Sequence, residues 1–189
     1  MYARLKQNWV YGGFLSAFVL FGLVIVLLRD SSLAFVLVYL HLPIYQLHQY
    51  EEHDDDRFRK FINEVFGNGR DIMTVDAVFI INIGAVWALY TAVIIASALY
   101  DIGLGLVLVY TTLLNGIAHL GQGLAFRKYN PGLGTSLLLF LPVSSFALWS
   151  VSQAQGVGVL HHLVGVLVGV IVHVVIVVYV VRRLRQLKQ

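Results

Sequence analysis

His48-Gln49-Tyr50-Glu51-Glu52 sets an imidazole three and four residues ahead of two carboxylates. On a helix those offsets share a face, so His48 and a glutamate could grip one ion, as paired His and Glu side chains do in metal-binding bundles. His119 and His173 stand far downstream in strongly apolar surroundings. An ionisable side chain is expensive there and tends to face a bundle interior or a wet cavity. The expected metal ligands are His48, Glu52, His119 and His173. The expected catalytic residues are Glu51 and Glu52, one acting as base while the other helps hold the ion. A His-rich set with one carboxylate suits a divalent metal, zinc or iron. Asn82, Asn115 and Gln122 could orient those ligands or a substrate. The chain has no cysteine, which removes disulfides and thiolate zinc sites from consideration.

Such a set needs helices to carry it, and composition tells which solvent those helices face. Of 189 residues, 59% are apolar and 12% charged, with a mean hydropathy of +0.80. A water-soluble globule of this size could not hide so much apolar surface, so lipid is its natural solvent. The expected fold is all-α, an integral membrane helical bundle of six transmembrane helices forming one transmembrane domain over 1–189. Runs near 9–28, 32–50, 75–100, 102–126, 132–151 and 158–181 have about the 20 apolar residues that a spanning helix needs. The second is the least typical, since it carries His41, Pro43, Gln46 and His48. The first reads as a retained span rather than a cleaved signal, because its apolar length is that of a crossing helix. Residues 53–72 are charged, yet Phe58, Phe61, Ile62, Val65 and Phe66 recur at helical spacing. That pattern predicts a short amphipathic cytoplasmic helix on the membrane surface between spans two and three.

In this arrangement one side of the bilayer receives Arg4 and Lys6, then Arg57, Arg59, Lys60 and Arg70, then Arg127 and Lys128, and finally Arg182, Arg183, Arg185 and Lys188. Only Arg29 falls on the other side. The positive-inside rule then places both termini in the cytoplasm of a multi-pass protein of the cell (inner) membrane. A helical rise of about 1.5 Å per residue puts His48, Glu51 and Glu52 at the inner end of span two and Asn82 in the inner half of span three. It brings His119 and His173 to a similar depth in spans four and six. Asn115, His119 and Gln122 form one stripe, as do His162, Gly165, Gly169 and His173, whose glycines permit close helix approach.

Structural explanations compete at each position. Charge at a membrane boundary is commonly just solvated, which would account for Glu51 and Glu52. His119 and His173 could hydrogen-bond between helices without catalysis. His161 and His162 fit the outer interface, His41 and Pro43 a kink, and Asp54, Asp55 and Asp56 a solvated run.

The His48-x-x-Glu51-Glu52 pentad, the separate His119 and Tyr129-Asn130-Pro131-Gly132 together resemble, in that order, the HXXEE domain family of small membrane proteins, over roughly residues 10–150. The resemblance singles out His48, Glu51, Glu52, His119, Tyr129, Pro131 and Gly132, and implies a membrane protein without implying an activity. Residues 129–132 also read as a tight turn between spans four and five, since proline restricts the residue before it and glycine tolerates positive φ. From that turn Tyr129 could reach the carboxylates.

The expected function is a metal-dependent, hydrolase-like membrane enzyme acting at the cytoplasmic leaflet on a lipid or another apolar molecule. Its partners are then the lipid bilayer and that substrate, with no nucleic acid. The pentad also parallels inverted zinc-protease motifs, in which a Glu between two ligands is the base, although Glu52 stands where a second His belongs. A metal-free acid/base enzyme, an isomerase or a glutamate-dependent protease, would use the same residues. A proton-coupled small-molecule transporter would use them as relay groups, but no inverted repeat is visible.

Overall fold

The computed structural model describes residues 1–188 and consists of helices and connecting turns, with no strand among the described residues. Seven helices follow in order among those residues: α1 (Tyr2–Leu27), α2 (Leu33–His53), α3 (Arg57–Val65), α4 (Val75–Leu99), α5 (Ile102–Phe126), α6 (Leu133–Ser152) and α7 (Val159–Gln186). Two of them widen to π-helical pitch, α4 over Ile80–Trp87 and α6 over Ser136–Phe140.

Helices α1, α4, α5, α6 and α7 are long and apolar enough to cross a membrane. Burial follows the same logic. Ile25 on α1 is 77% exposed and Val159 on α7 74%, whereas His48 is 0% and Glu52 6% exposed. Many large apolar side chains face out while a set of polar ones is buried among the helices, the pattern of a membrane-embedded bundle.

α2 is the helix that collects the buried polar groups: His41, Gln46, His48, Gln49, Glu52 and His53 are all buried on it. It starts at Ser32, whose hydroxyl caps the Phe35 amide, and continues through Pro43 to His53. Against α1 it is antiparallel. The Tyr11 hydroxyl donates to Asp54 at 3.1 Å, Ser16 to Gln46 at 2.9 Å, and Tyr39 to the Leu20 carbonyl at 3.2 Å. α2 therefore retraces the length of α1 and returns the chain to the end where Lys6 pairs with Asp76, at the start of α4.

The same cross-links orient the remaining helices. Tyr45 packs on Tyr90 while Gln49 bonds Asn82, so α2 and α4 are antiparallel. His41 meets Ser144 while His48 meets Thr135, so α2 and α6 are antiparallel as well. α7 runs parallel to α5, with His162 on Tyr110 and Gly169 against Thr111 and Leu114. A Cβ added at Gly165 would stand 2.8 Å from the Leu106 carbonyl oxygen, so this glycine does admit the close approach expected of its stripe.

Between α2 and α3 the chain reverses through Asp54–Asp56. Asp55 and Asp56 take φ of 52° and 60°, the left-handed region that aspartate tolerates better than most residues. The three aspartates are not merely solvated. Asp54 pairs with Arg57 at 2.7 Å, Asp56 with Arg59 at 2.5 Å and Asp55 with Lys60 at 3.1 Å, which ties the turn to α3. Part of the α3 face expected to rest on the membrane surface packs on protein, Ile62 against Ile72, Met73, Ala77 and Val78, while Phe66 at its end stays exposed. The reason is the return of the 67–74 segment beneath it, anchored by the Asn63 side chain to the backbone of Met73.

Candidate metal centre

Glu52 follows His48 by four positions, so the last two turns of α2 present both to the same interior, where α5 supplies His119. His48 Nε2 lies 3.5 Å from Glu52 Oε2, and His119 Nε2 lies 3.5 Å from Glu52 Oε1. One ligand atom from each residue falls within 4.8 Å of the other two, and all three residues are buried. Tetrahedral metal bonds of about 2.0–2.1 Å set neighbouring donor atoms about 3.3–3.4 Å apart. The spacing here is close to such an edge and longer than a good hydrogen bond.

Neighbouring groups fix which atom of each ring faces Glu52. The Asn130 amide nitrogen donates to the His119 backbone carbonyl at 2.9 Å, which leaves the Asn130 amide oxygen facing His119 Nδ1 at 2.7 Å. His119 Nδ1 must then carry a proton, and Nε2 of the neutral ring is a bare lone pair. For His48, the Thr135 hydroxyl donates to the Gly132 carbonyl at 3.3 Å and accepts from Nδ1 at 2.8 Å. His48 Nε2 is buried without a hydrogen-bond partner. Two imidazole lone pairs and a buried carboxylate thus converge, a set of acceptors that requires a cation or an added proton between them. His48, Glu52 and His119 could hold a metal ion, in the His-His-carboxylate combination used by zinc hydrolases and non-haem iron enzymes, with each Nδ1–H held from behind.

The turn after α5 completes this support. Gly132 has φ of +97°, and a Cβ there would lie 2.7 Å from His48 Cε1 and 2.8 Å from His119 Cε1. Only glycine lets the backbone pass so close to both rings. Tyr129 donates to Glu51 Oε1 at 2.6 Å, and burial, followed by this bond, pushes its phenol up to about 12. Glu51 also accepts from the Gly134 amide at 2.9 Å and the Thr135 amide at 2.6 Å. It therefore caps the positive start of α6 from another helix. With three donors on its two oxygens, Glu51 is engaged in holding α6 rather than turned towards the His-Glu group.

His53 is the neighbour that residue spacing did not single out. Its Nε2 lies 3.1 Å from Glu52 Oε2 and 3.2 Å from the Asn82 amide nitrogen. The Trp87 indole, which can only donate, bonds Gln49 Oε1 at 2.7 Å, and Gln49 in turn donates to Asn82 Oδ1 at 2.7 Å. This run of side chains threads the π-helical stretch of α4, a kind of distortion common where a helix is adapted to a site.

A cavity of about 460 Å³ adjoins the group, with Glu52, His53, Asn82, Asn115, His119 and Gln122 among its lining and a wall of α7 valines and Ile176 opposite. His173 lines this cavity, but its Nδ1 bonds the Gly169 carbonyl of its own helix at 2.7 Å. It stands outside the group whose ligand atoms converge. His41 is tied to Ser144, His162 to Tyr110, and His161 to Asp101 at 2.9 Å, each an interhelical or loop contact away from this group. Spacing also passed over Asn130 and Thr135. Asn130 read simply as part of a turn, and no periodicity ties Thr135 to a histidine 87 residues earlier.

Residues 39–147 match the family model described as a protein of unknown function with HXXEE motif. No curated protein and no solved structure matches the chain. The matched segment holds His48, Glu52, His119 and the whole Tyr129–Gly132 turn, and leaves out α1 and α7. It covers more than half of the 189 residues, and the chain belongs to the HXXEE family.

Proposed function

We propose that this protein is a metal-dependent, hydrolase-like enzyme of the cell membrane, with its site open to lipid-derived or other apolar substrates at the cytoplasmic leaflet. The observation that carries the proposal is the convergence of His48 Nε2, His119 Nε2 and the Glu52 carboxylate, all buried, with both rings held by Nδ1 hydrogen bonds. His48, Glu52 and His119 would hold the zinc or iron ion. When bound, the ion supplies Lewis-acid polarisation of a substrate carbonyl or phosphoryl oxygen. Glu52 serves as ligand, and His53, at 3.1 Å from it, is placed to take and return a proton. Asn130 and Thr135 orient the two ligand rings, while the apolar α7 wall limits access of water.

α2 crosses the membrane in this proposal too, giving six spans with both termini cytoplasmic. Its antiparallel match to the full length of α1 supports that count, as does the meeting of Lys6 with Asp76 at one end of the bundle. All Lys and Arg residues except Arg29 fall at the end that carries the His-Glu group.

A second reading has an observation of its own. The 3.1 Å His53–Glu52 contact is within hydrogen-bond range and would serve metal-free acid/base chemistry. Turnover of long-chain acyl esters and amides by the detergent-purified protein, before and after chelation, separates the two. Loss on chelation with recovery on adding zinc or ferrous iron is the expected outcome. Undiminished turnover after exhaustive chelation would favour the His53–Glu52 pair alone.

A further inference from the structure

Asn115, His119 and Gln122 sit at i, i+4 and i+7 on α5, and all three line the cavity. The side-chain oxygens of Asn115 and Gln122 are buried, and neither has a protein hydrogen-bond partner. Asn115 spends its amide nitrogen on the Tyr45 hydroxyl at 3.0 Å, so its oxygen is the free end. Unpaired acceptors are costly to keep in a dry interior, and two of them on the stripe that carries a proposed ligand ask for donors from something bound there. Along α5 they are about 10 Å apart, with His119 between them.

The remainder of the cavity is apolar. Ile176 and Val180 line it, and so do Val177 and Val181, which are 59% and 40% exposed at the outer surface of α7. A hydrocarbon chain can leave past these valines into lipid without crossing a polar barrier. A volume of about 460 Å³ lies within the usual range for a small-molecule site, about 300–1,000 Å³. That suits the head and first methylenes of one chain better than a whole two-chain lipid.

We infer that the cavity binds a single-chain amphiphile bearing hydroxyl or N–H donors on both sides of the group presented to His119. One donor meets the Asn115 oxygen on the deeper side and another meets Gln122 on the shallower side, with the chain passing out beside α7. The inference rests on the proposed function only in treating the ligand as substrate; the binding itself stands on the two amide oxygens and the apolar wall.

The test uses an uncleavable probe, a tritiated long-chain 2-O-alkylglycerol, whose two hydroxyls flank its ether oxygen, binding to the intact chain in detergent. Its competitors are the unlabelled alkylglycerol and the di-O-methyl ether of the same molecule, which keeps the acceptors and loses the donors. The free hydroxyls are expected to improve competition by about tenfold. Gln122→Met and Asn115→Leu should each erode that preference by about threefold or more. Tyr45→Phe combined with Asn115→Leu removes the hydroxyl that Asn115→Leu alone would strand, and so controls for it. Equal competition by the two ethers, or a preference untouched by both variants, would overturn the inference; the wild-type comparison decides even if a variant does not fold. Metal content measured on the same preparations keeps the two proposals apart. Metal without hydroxyl preference sinks the ligand class alone, and hydroxyl preference without metal sinks the metal centre alone.

Discussion

Asn130 holds His119 at two points, accepting from its Nδ1 at 2.7 Å and donating to its backbone carbonyl at 2.9 Å. The residue just before the turn proline thereby sets the tautomer of a ring on the preceding helix. Asn130→Leu strands a buried N–H and frees the ring, so metal affinity should fall by about 10–100-fold. Stability should fall by about 1–3 kcal/mol. Competitive chelator titration and thermal unfolding read these two effects separately.

Glu51 and Glu52 are adjacent but do different work, and parallel amide substitutions should expose it. Glu51→Gln keeps its shape but loses charge-assisted bonds at the start of α6, at a cost of about 1–2 kcal/mol with metal retained. Glu52→Gln should lose metal. The Tyr129–Glu51 bond has its own pH signature. A phenol raised to about 12 is fully bonded below the ordinary tyrosine value of about 10 and gives up its contribution as pH climbs through its own value. Tyr129→Phe should abolish an ultraviolet phenolate transition of that position.

Gly132→Ala tests whether the turn shapes the site. The new Cβ would meet both imidazoles at under 3 Å on a backbone with φ of +97°. A stability loss of about 1–3 kcal/mol is expected from the backbone alone, with weakened metal binding beyond it. Metal affinity equal to wild type in a folded Gly132→Ala protein would show that the rings do not depend on this close passage.

For topology, single cysteines are introduced into this cysteine-free chain and labelled in intact cells. Positions 57 and 127 should be protected and positions 29 and 101 reactive. Labelling of 57 and 29 from the same side would contradict six crossings.

Much of this was legible in residue types. The apolar runs gave away the helices, and the i, i+4 offset of His48 and Glu52 put them on one face before any packing was known. His119 was conspicuous because an ionisable group deep in an apolar run needs a reason. His173 met the same criterion and lines the same cavity, yet its proton goes to the Gly169 carbonyl; depth cannot distinguish a ring facing a neighbour from one bonded to its own helix. Glu51 seemed equivalent to Glu52 because adjacent residues share a depth, but about 100° of helical rotation turns it to the start of α6. Asn130 and Thr135 were illegible for a plainer reason. Their roles depend on how α6 lies across α2 and α5, and turn or helix chemistry alone accounts for both residues locally.

The central claim is that His48, Glu52 and His119 hold one divalent ion. Its most direct test is the metal content of the detergent-purified protein, prepared with zinc or iron present, beside His119→Ala, Glu52→Gln, Glu51→Gln and His173→Ala. The account predicts about one ion per chain in wild type, Glu51→Gln and His173→Ala, and almost none in the other two. Wild-type protein that never holds stoichiometric metal, or a folded His119→Ala protein that holds as much as wild type, would contradict it.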